Sequence, residues 1–155
     1  MRPLKLVQHM KTNGDRMSQG LLQKIRTSNR CDELVLRVSV DEQKRYGSII
    51  YGDLTDFLSG ETESFVEQHY VGLGTQRAQQ GVPFSDLFWA VSISRDYLWE
   101  YIQQECLLDE QVDFWGGVIL LRSLNRFFDR ALYFTILGYQ RVIRDALAGT
   151  SAIPA

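Results

Sequence analysis

The stretch Leu73-Gly74-Thr75-Gln76-Arg77-Ala78-Gln79-Gln80-Gly81-Val82-Pro83-Phe84-Ser85-Asp86-Leu87-Phe88-Trp89 constrains the fold more than any other part of the chain. It reads as the end of one helix, a fixed turn and the start of the most apolar helix. Gly81 can take the left-handed conformation that ends a helix, and Pro83 lacks the N–H with which a helix would resume at once. Ser85 is placed to cap the next helix. Phe84 and Trp89 have the spacing of a hydrophobic staple, which would set its angle of entry.

From that turn the helical reading spreads in both directions. Only 3 of 155 residues are proline, and charged and aliphatic residues recur at helical spacing, so an all-α fold follows more easily than a sheet. The length suits one domain, expected over residues 1–148 with a tail at 149–155. The spacing predicts a bundle of about five to six helices with a long C-terminal one.

Residues Leu4 to Met10 read as a short amphipathic turn interrupted by Asn13-Gly14, after which Asp15 could cap a helix placing Met17, Leu21 and Ile25 on one face. Glu33 to Val40 alternates like a strand, but a lone strand has no partner, so an irregular or helical connection is expected. Ser39 and Glu42 have capping-box spacing ahead of Tyr46, Ile49, Ile50, Leu54, Phe57 and Leu58, with Ser59-Gly60 as the stop. Gly47 and Gly52 weaken that helix and are expected to serve close packing. Thr62 can cap the next helix, where Phe65, His69, Leu73 and Arg77 share one stripe.

In the apolar helix after Pro83, Leu87, Val91, Leu98 and Ile102 form a stripe, with Phe88, Trp99 and Cys106 beside it. So broad an apolar arc belongs near the middle of a bundle. Asp109 or Asp113 should start the last helix. Val118, Leu121, Leu124, Phe128, Ala131 and Leu132 make its expected core stripe, and Arg122, Asn125, Arg126, Asp129 and Arg130 the solvated face. Gly116-Gly117 and Gly138 are possible bends. Ile136, Tyr139, Ile143 and Ala146 continue an apolar seam at roughly coiled-coil spacing.

Several classes of chemistry lack support in the residues. Lys+Arg 17 against Asp+Glu 19 leaves no overall electrostatic case for nucleic acid or an anionic membrane. The start of the chain lacks a signal-peptide core, and the longest apolar run is far short of a membrane span, so a cytoplasmic location is expected. Cys31 and Cys106 read as reduced thiols, one disulfide being the alternative. No nucleophile elbow, phosphate loop or carboxylate–histidine metal pair is present, and neither an enzyme nor a bound metal is expected.

The residues do offer binding candidates. His69 on an apolar face is either a packed histidine with one hydrogen bond or a haem ligand. Arg77 and Arg95, each on an otherwise apolar face, could meet a small anion or polar metabolite between their two helices, with Tyr70 and Trp99 as the aromatic lining. Alternatively they pair with a carboxylate such as Glu67 or Asp96, or reach out to solvent. Trp89 and Ile93 project from the polar side of their helix. They either cap a second core layer or, together with Tyr139 and Ile143, form a dimer or partner surface.

The run Leu73-Gly74-x-x-Arg77-Ala78-x-x-Gly81-Val82-Pro83-Phe84-x-x-Leu87, followed by an apolar helix containing Arg95, resembles the RsbRD-type N-terminal domains. These are helical sensor or regulatory modules ahead of stressosome output domains, kinases, cyclases and transcriptional regulators. The run is also similar to the proximal region of globin-coupled sensors, in which a histidine stands four residues before the glycine. Here that place is held by Arg77, which is no haem ligand. The resemblance extends from about Ser39 through the last helix. It implies a globin-related bundle without haem that signals through its last helix to an output domain or signalling partner, as a homodimer. A haem- or small-ligand-binding sensor and a stand-alone protein-interaction module are the alternatives.

Overall fold

The computed structural model describes residues 3–60, 63–105 and 114–151. The described residues form seven helices and no strand: α1 (Pro3–Thr12), α2 (Gly14–Thr27), α3 (Asp32–Arg37), α4 (Val40–Leu58), α5 (Glu63–Gln79), α6 (Phe84–Gln104) and α7 (Phe114–Ser151). The all-α class and the long C-terminal helix are as expected. The count is one or two above the expected five to six, because both N-terminal ambiguities resolve as helix. Leu6, Val7 and Met10 are buried, so residues 3–12 form a packed helix rather than a turn. In α3, Leu34 is buried while Leu36 is 77% exposed, a helical distribution where alternation had suggested a strand.

The bundle is organised by two close helix pairs. One is α2 with α4, and here Gly47 lets the backbones meet: a Cβ there would lie 2.9 Å from Ser18 Cα. The other is α5 with α7, the closest pair of all. Gly74 sits against the Thr135 carbonyl and Gly138 against the Val71 carbonyl, leaving no room for any side chain. Gly138 thus serves close packing inside an unbroken helix. Gly52, by contrast, faces open space and packs against nothing. Helix α6 bridges the pairs, touching both α2 and α7.

The turn that organised the sequence reading behaves as its glycine and proline require. Gly81 adopts φ +76° and ends α5. Two details differ. Pro83, with extended φ and ψ, occupies the cap position, so α6 begins at Phe84, one residue before the expected cap Ser85. Phe84 stacks edge-on against Tyr139 of α7 instead of stapling to Trp89, which packs on Phe88 and lies under the Arg30 guanidinium. The entry angle of α6 is therefore fixed by tertiary contact. Similarly, α2 starts at Gly14 behind Asn13, not behind Asp15.

The α4 cap is as expected: Ser39 Oγ accepts from the Glu42 N–H at 3.2 Å. The Glu42 side chain does not complete the box but reaches across to α5. The expected stripe of α6 is buried throughout, from Leu87 and Val91 to Leu98 and Ile102. That of α7 holds at Leu124, Phe128 and Ala131, with Leu132 packed beside them, and fails only at the helix start. Leu120, Leu124, Phe127, Phe128, Ala131 and Thr135 face the core, while Val118 and Leu121 are 38% and 43% exposed. The proposed starts at Asp109 and Asp113, the cap Thr62, and Cys106 lie outside the described residues. Cys31 is free and buried.

Candidate functional site

Helices α4 and α5 follow one another in sequence, yet their backbones stand apart and polar side chains bridge the space. The space between them is a groove of about 530 Å3, lined by Glu42, Arg45, Tyr46 and Ile49 from α4 and by His69, Tyr70, Leu73, Gln76 and Arg77 from α5. Beneath it, walled by α2, α3, α4, α5, α6 and α7, lies a second cavity of about 30 Å3. The inner walls are mostly aliphatic, from Leu22, Ile25, Leu34, Val38, Leu87, Ala90 and Val91, with Gln43, Tyr46, Arg77 and Thr135 as the polar groups. Groove and cavity share Tyr46, Leu73 and Arg77.

Arg77 is 6% exposed, because the α5 stripe that carries Leu73 turns it inward. Its Nη1 donates to Gln80 Oε1 at 2.8 Å and stands 3.5 Å from Glu42 Oε2. Glu42 in turn accepts from Gln76 Nε2 at 2.8 Å and Gln80 Nε2 at 3.0 Å. A polar latch thus ties the start of α4 to the end of α5. Burial lowers the Arg77 pKa, and the charge of Glu42 works against that shift. The guanidinium stays cationic, since its ordinary value is far above neutrality. The partner is Glu42, which the sequence reading had not singled out; it had offered Glu67 and Asp96.

The inner polar groups are held by their own network. Tyr46 donates to Ser94 Oγ at 2.9 Å, Ser94 Oγ donates to the Ala90 carbonyl at 2.6 Å, and Tyr51 donates to the Ser94 carbonyl at 2.8 Å. Burial pushes the Tyr46 and Tyr51 phenols well above their usual range. Gln43 Nε2 donates to the carbonyls of Val35 and Val38, closing the end of α3. Asp86 caps the other end of α3 by accepting from the Leu34 N–H at 3.0 Å. Sequence alone gave no sign of Gln43 or Asp86, because both reach to an element that only the fold brings near.

His69 differs from its expected place on an apolar face. Its side chain is 53% exposed at the groove's rim, and Nδ1 lies 3.1 Å from the Asp53 carboxylate. It does not line the inner cavity. Tyr70 is buried with its ring edge-on to Phe127, and its hydroxyl has no hydrogen-bond partner among the described residues. Burial, then the nearby Asp53 charge, raises its pKa well above the ordinary value.

The remaining candidates separate in space. Arg77 and Tyr70 line one groove; Arg95 and Trp99 are half-buried on α6 and line neither that groove nor the cavity. Trp89 and Ile93 pack partly against the core, Trp89 beneath Arg30. Tyr139 touches Phe84 and donates to the Val82 carbonyl at 2.8 Å, whereas Ile143 is 45% exposed. Among the described residues no group of three or more His, Cys, Asp or Glu side chains could hold a metal ion. No described helix is long and apolar enough to cross a membrane.

A family profile described as the RsbT co-antagonist protein rsbRD N-terminal domain matches residues 50–152. That span holds the second half of α4 together with α5, α6 and α7, and so the groove's α5 wall and the long helix. No curated protein and no solved structure is matched by the chain.

Proposed function

This chain belongs to the family of RsbT co-antagonist protein rsbRD N-terminal domains, and we propose that it is a non-catalytic cytoplasmic regulatory domain, working as a homodimer that transmits a signal through α7 to an output domain or protein partner. The observation that carries this reading is the second face of α7. The helix has 38 residues, a length of about 57 Å at the usual rise. Its buried stripe faces α5 and the core. On its flank, where Leu132 and Tyr139 still pack partly against the core, a row continues at three- and four-residue intervals through Leu132, Ile136, Tyr139, Ile143 and Leu147. The last two are 45% and 64% exposed. Phe84 and Phe88 of α6, 39% and 42% exposed, extend the patch beside Tyr139. Apolar side chains in such a row lose water contact when a second copy of the helix pairs with them. Rotation or sliding of paired helices between two arrangements then gives a route for the signal.

Light scattering over a range of concentrations tests the dimer. The native chain is expected to run as a dimer, and the double substitution Ile143→Glu, Leu147→Glu as a monomer of unchanged helical content. A native chain that stays monomeric at the highest concentrations removes the reading.

A further inference from the structure

The groove between α4 and α5 and the cavity beneath it are separated by three side chains, Tyr46, Leu73 and Arg77. Two of them are anchored weakly as barriers. Leu73 is half-buried with no polar tie, and Arg77 is held through Nη1 alone. Its Nε and Nη2 donors have no hydrogen-bond partner among the described residues. A guanidinium 6% exposed with donors to spare, at the mouth of an aliphatic cavity, is a half-made site for an anion with an apolar body.

We propose that Tyr46, Leu73 and Arg77 form the gate of a binding site for a short aliphatic carboxylate, whose carboxylate pairs with Arg77 while its hydrocarbon end enters the cavity. Displacement of the Leu73 side chain into the groove opens the way. The ligand's carboxylate takes the place of Glu42 on the guanidinium, and Glu42 keeps its bonds to Gln76 and Gln80. The hydrocarbon end then lies among Ile25, Leu34, Val38, Leu87 and Val91.

Size and charge both narrow the class. The cavity's roughly 30 Å3 is room for only a few heavy atoms, given that a single water needs about 10–15 Å3, so the ligand has roughly three to five carbons. A single guanidinium beside Glu42 suits a monoanion. A phosphate dianion would bring a second negative charge beside Glu42 that Arg77, the one cation shared by groove and cavity, does not neutralise, Arg45 lining only the outer groove. The site does not depend on the dimer: binding is read by heat and by melting temperature whatever the oligomeric state, so its failure and that of the dimer reading are separate results.

The test is calorimetric titration and thermal shift on the full chain with acetate, butyrate, pentanoate, butyramide and inorganic phosphate. Butyrate or pentanoate is expected to bind best, with butyramide at least about tenfold weaker for loss of the charged hydrogen bond. Arg77→Met should abolish binding. Because that variant removes a buried, paired group and could fail to fold, two others carry the test. Glu42→Gln, at a partly exposed position, should strengthen carboxylate binding by several-fold by freeing the guanidinium. Ala90→Val, which fills part of the cavity, should shift preference to shorter acids. The proposal is overturned if no carboxylate binds, if butyramide or phosphate binds as well as butyrate, if Glu42→Gln leaves affinity unchanged or weakened, or if Ala90→Val leaves the chain-length order intact.

Discussion

Tyr70 shows how far a single residue can depart from what its type suggests. It is 1% exposed, its ring packs on Phe127, and its hydroxyl makes no hydrogen bond among the described residues. A buried polar group without a partner costs about 1–3 kcal/mol. Tyr70→Phe keeps the ring and removes the cost, so urea unfolding is expected to show a gain of about 1 kcal/mol. A loss of similar size would mean that the hydroxyl is bonded after all. Arg77 was legible as an inward-facing cation because an arginine in a helical apolar stripe has nowhere else to point. Its partner was not legible. Glu42 lies on a different helix and had a complete local explanation as half of a capping box. His69 shares that stripe by spacing, yet α4 and α5 stand apart there and leave it at an open rim beside Asp53.

At the scale of elements, glycine marks the difference between helices that touch and helices that do not. Gly72 and Gly74 are two residues apart on α5 and face opposite fates. A Cβ at Gly74 would meet the Thr135 carbonyl, whereas one at Gly72 meets nothing within 4 Å. Gly74→Ala must push α5 off α7 and is expected to cost about 3 kcal/mol, the upper part of the range for overpacking. Gly72→Ala removes backbone freedom from the unfolded chain and should stabilise by about 0.5–1 kcal/mol. Thermal melts of the two single variants check both signs, and equal effects would contradict the close α5–α7 crossing. Sequence spacing marked Gly47, Gly52 and Gly138 as special but could not sort them. Gly47 and Gly138 lie at backbone contacts and Gly52 at none, which is a property of the neighbouring helix.

For the whole molecule, the buried phenols and thiol set a limit at alkaline pH. Tyr46, Tyr51 and Tyr70 are all held above their ordinary pKa by burial, and the Cys31 thiol is pushed up to about 12. Each group binds its proton more tightly folded than unfolded. The stability this gives is complete below the unfolded values and is lost as pH rises toward the folded ones. The melting temperature is expected to be level from neutral pH to about 8, to fall gently as the Cys31 contribution is lost above the usual thiol pKa of about 8.5, and to fall steeply from about 10 upward as the tyrosines follow. A flat profile through that range would show that these groups reach solvent. What the sequence determined by itself was local: helical periodicity, the stop at Gly81 and break at Pro83, the Ser39 cap, the buried stripe of α6, and a family pattern spread along those features. Such signals depend on residues within a turn or two of one another. Tertiary structure decided the rest. It set the exposure of Val118 and Leu121 at the start of α7, the Glu42–Arg77 latch, the entry of α6 against Tyr139, and the paired groove and cavity. Each of these depends on which helices meet and at what distance. The Leu73–Trp89 stretch specifies a turn and two helices, and the α5–α7 contact at Gly74 and Gly138 fixes where they lie.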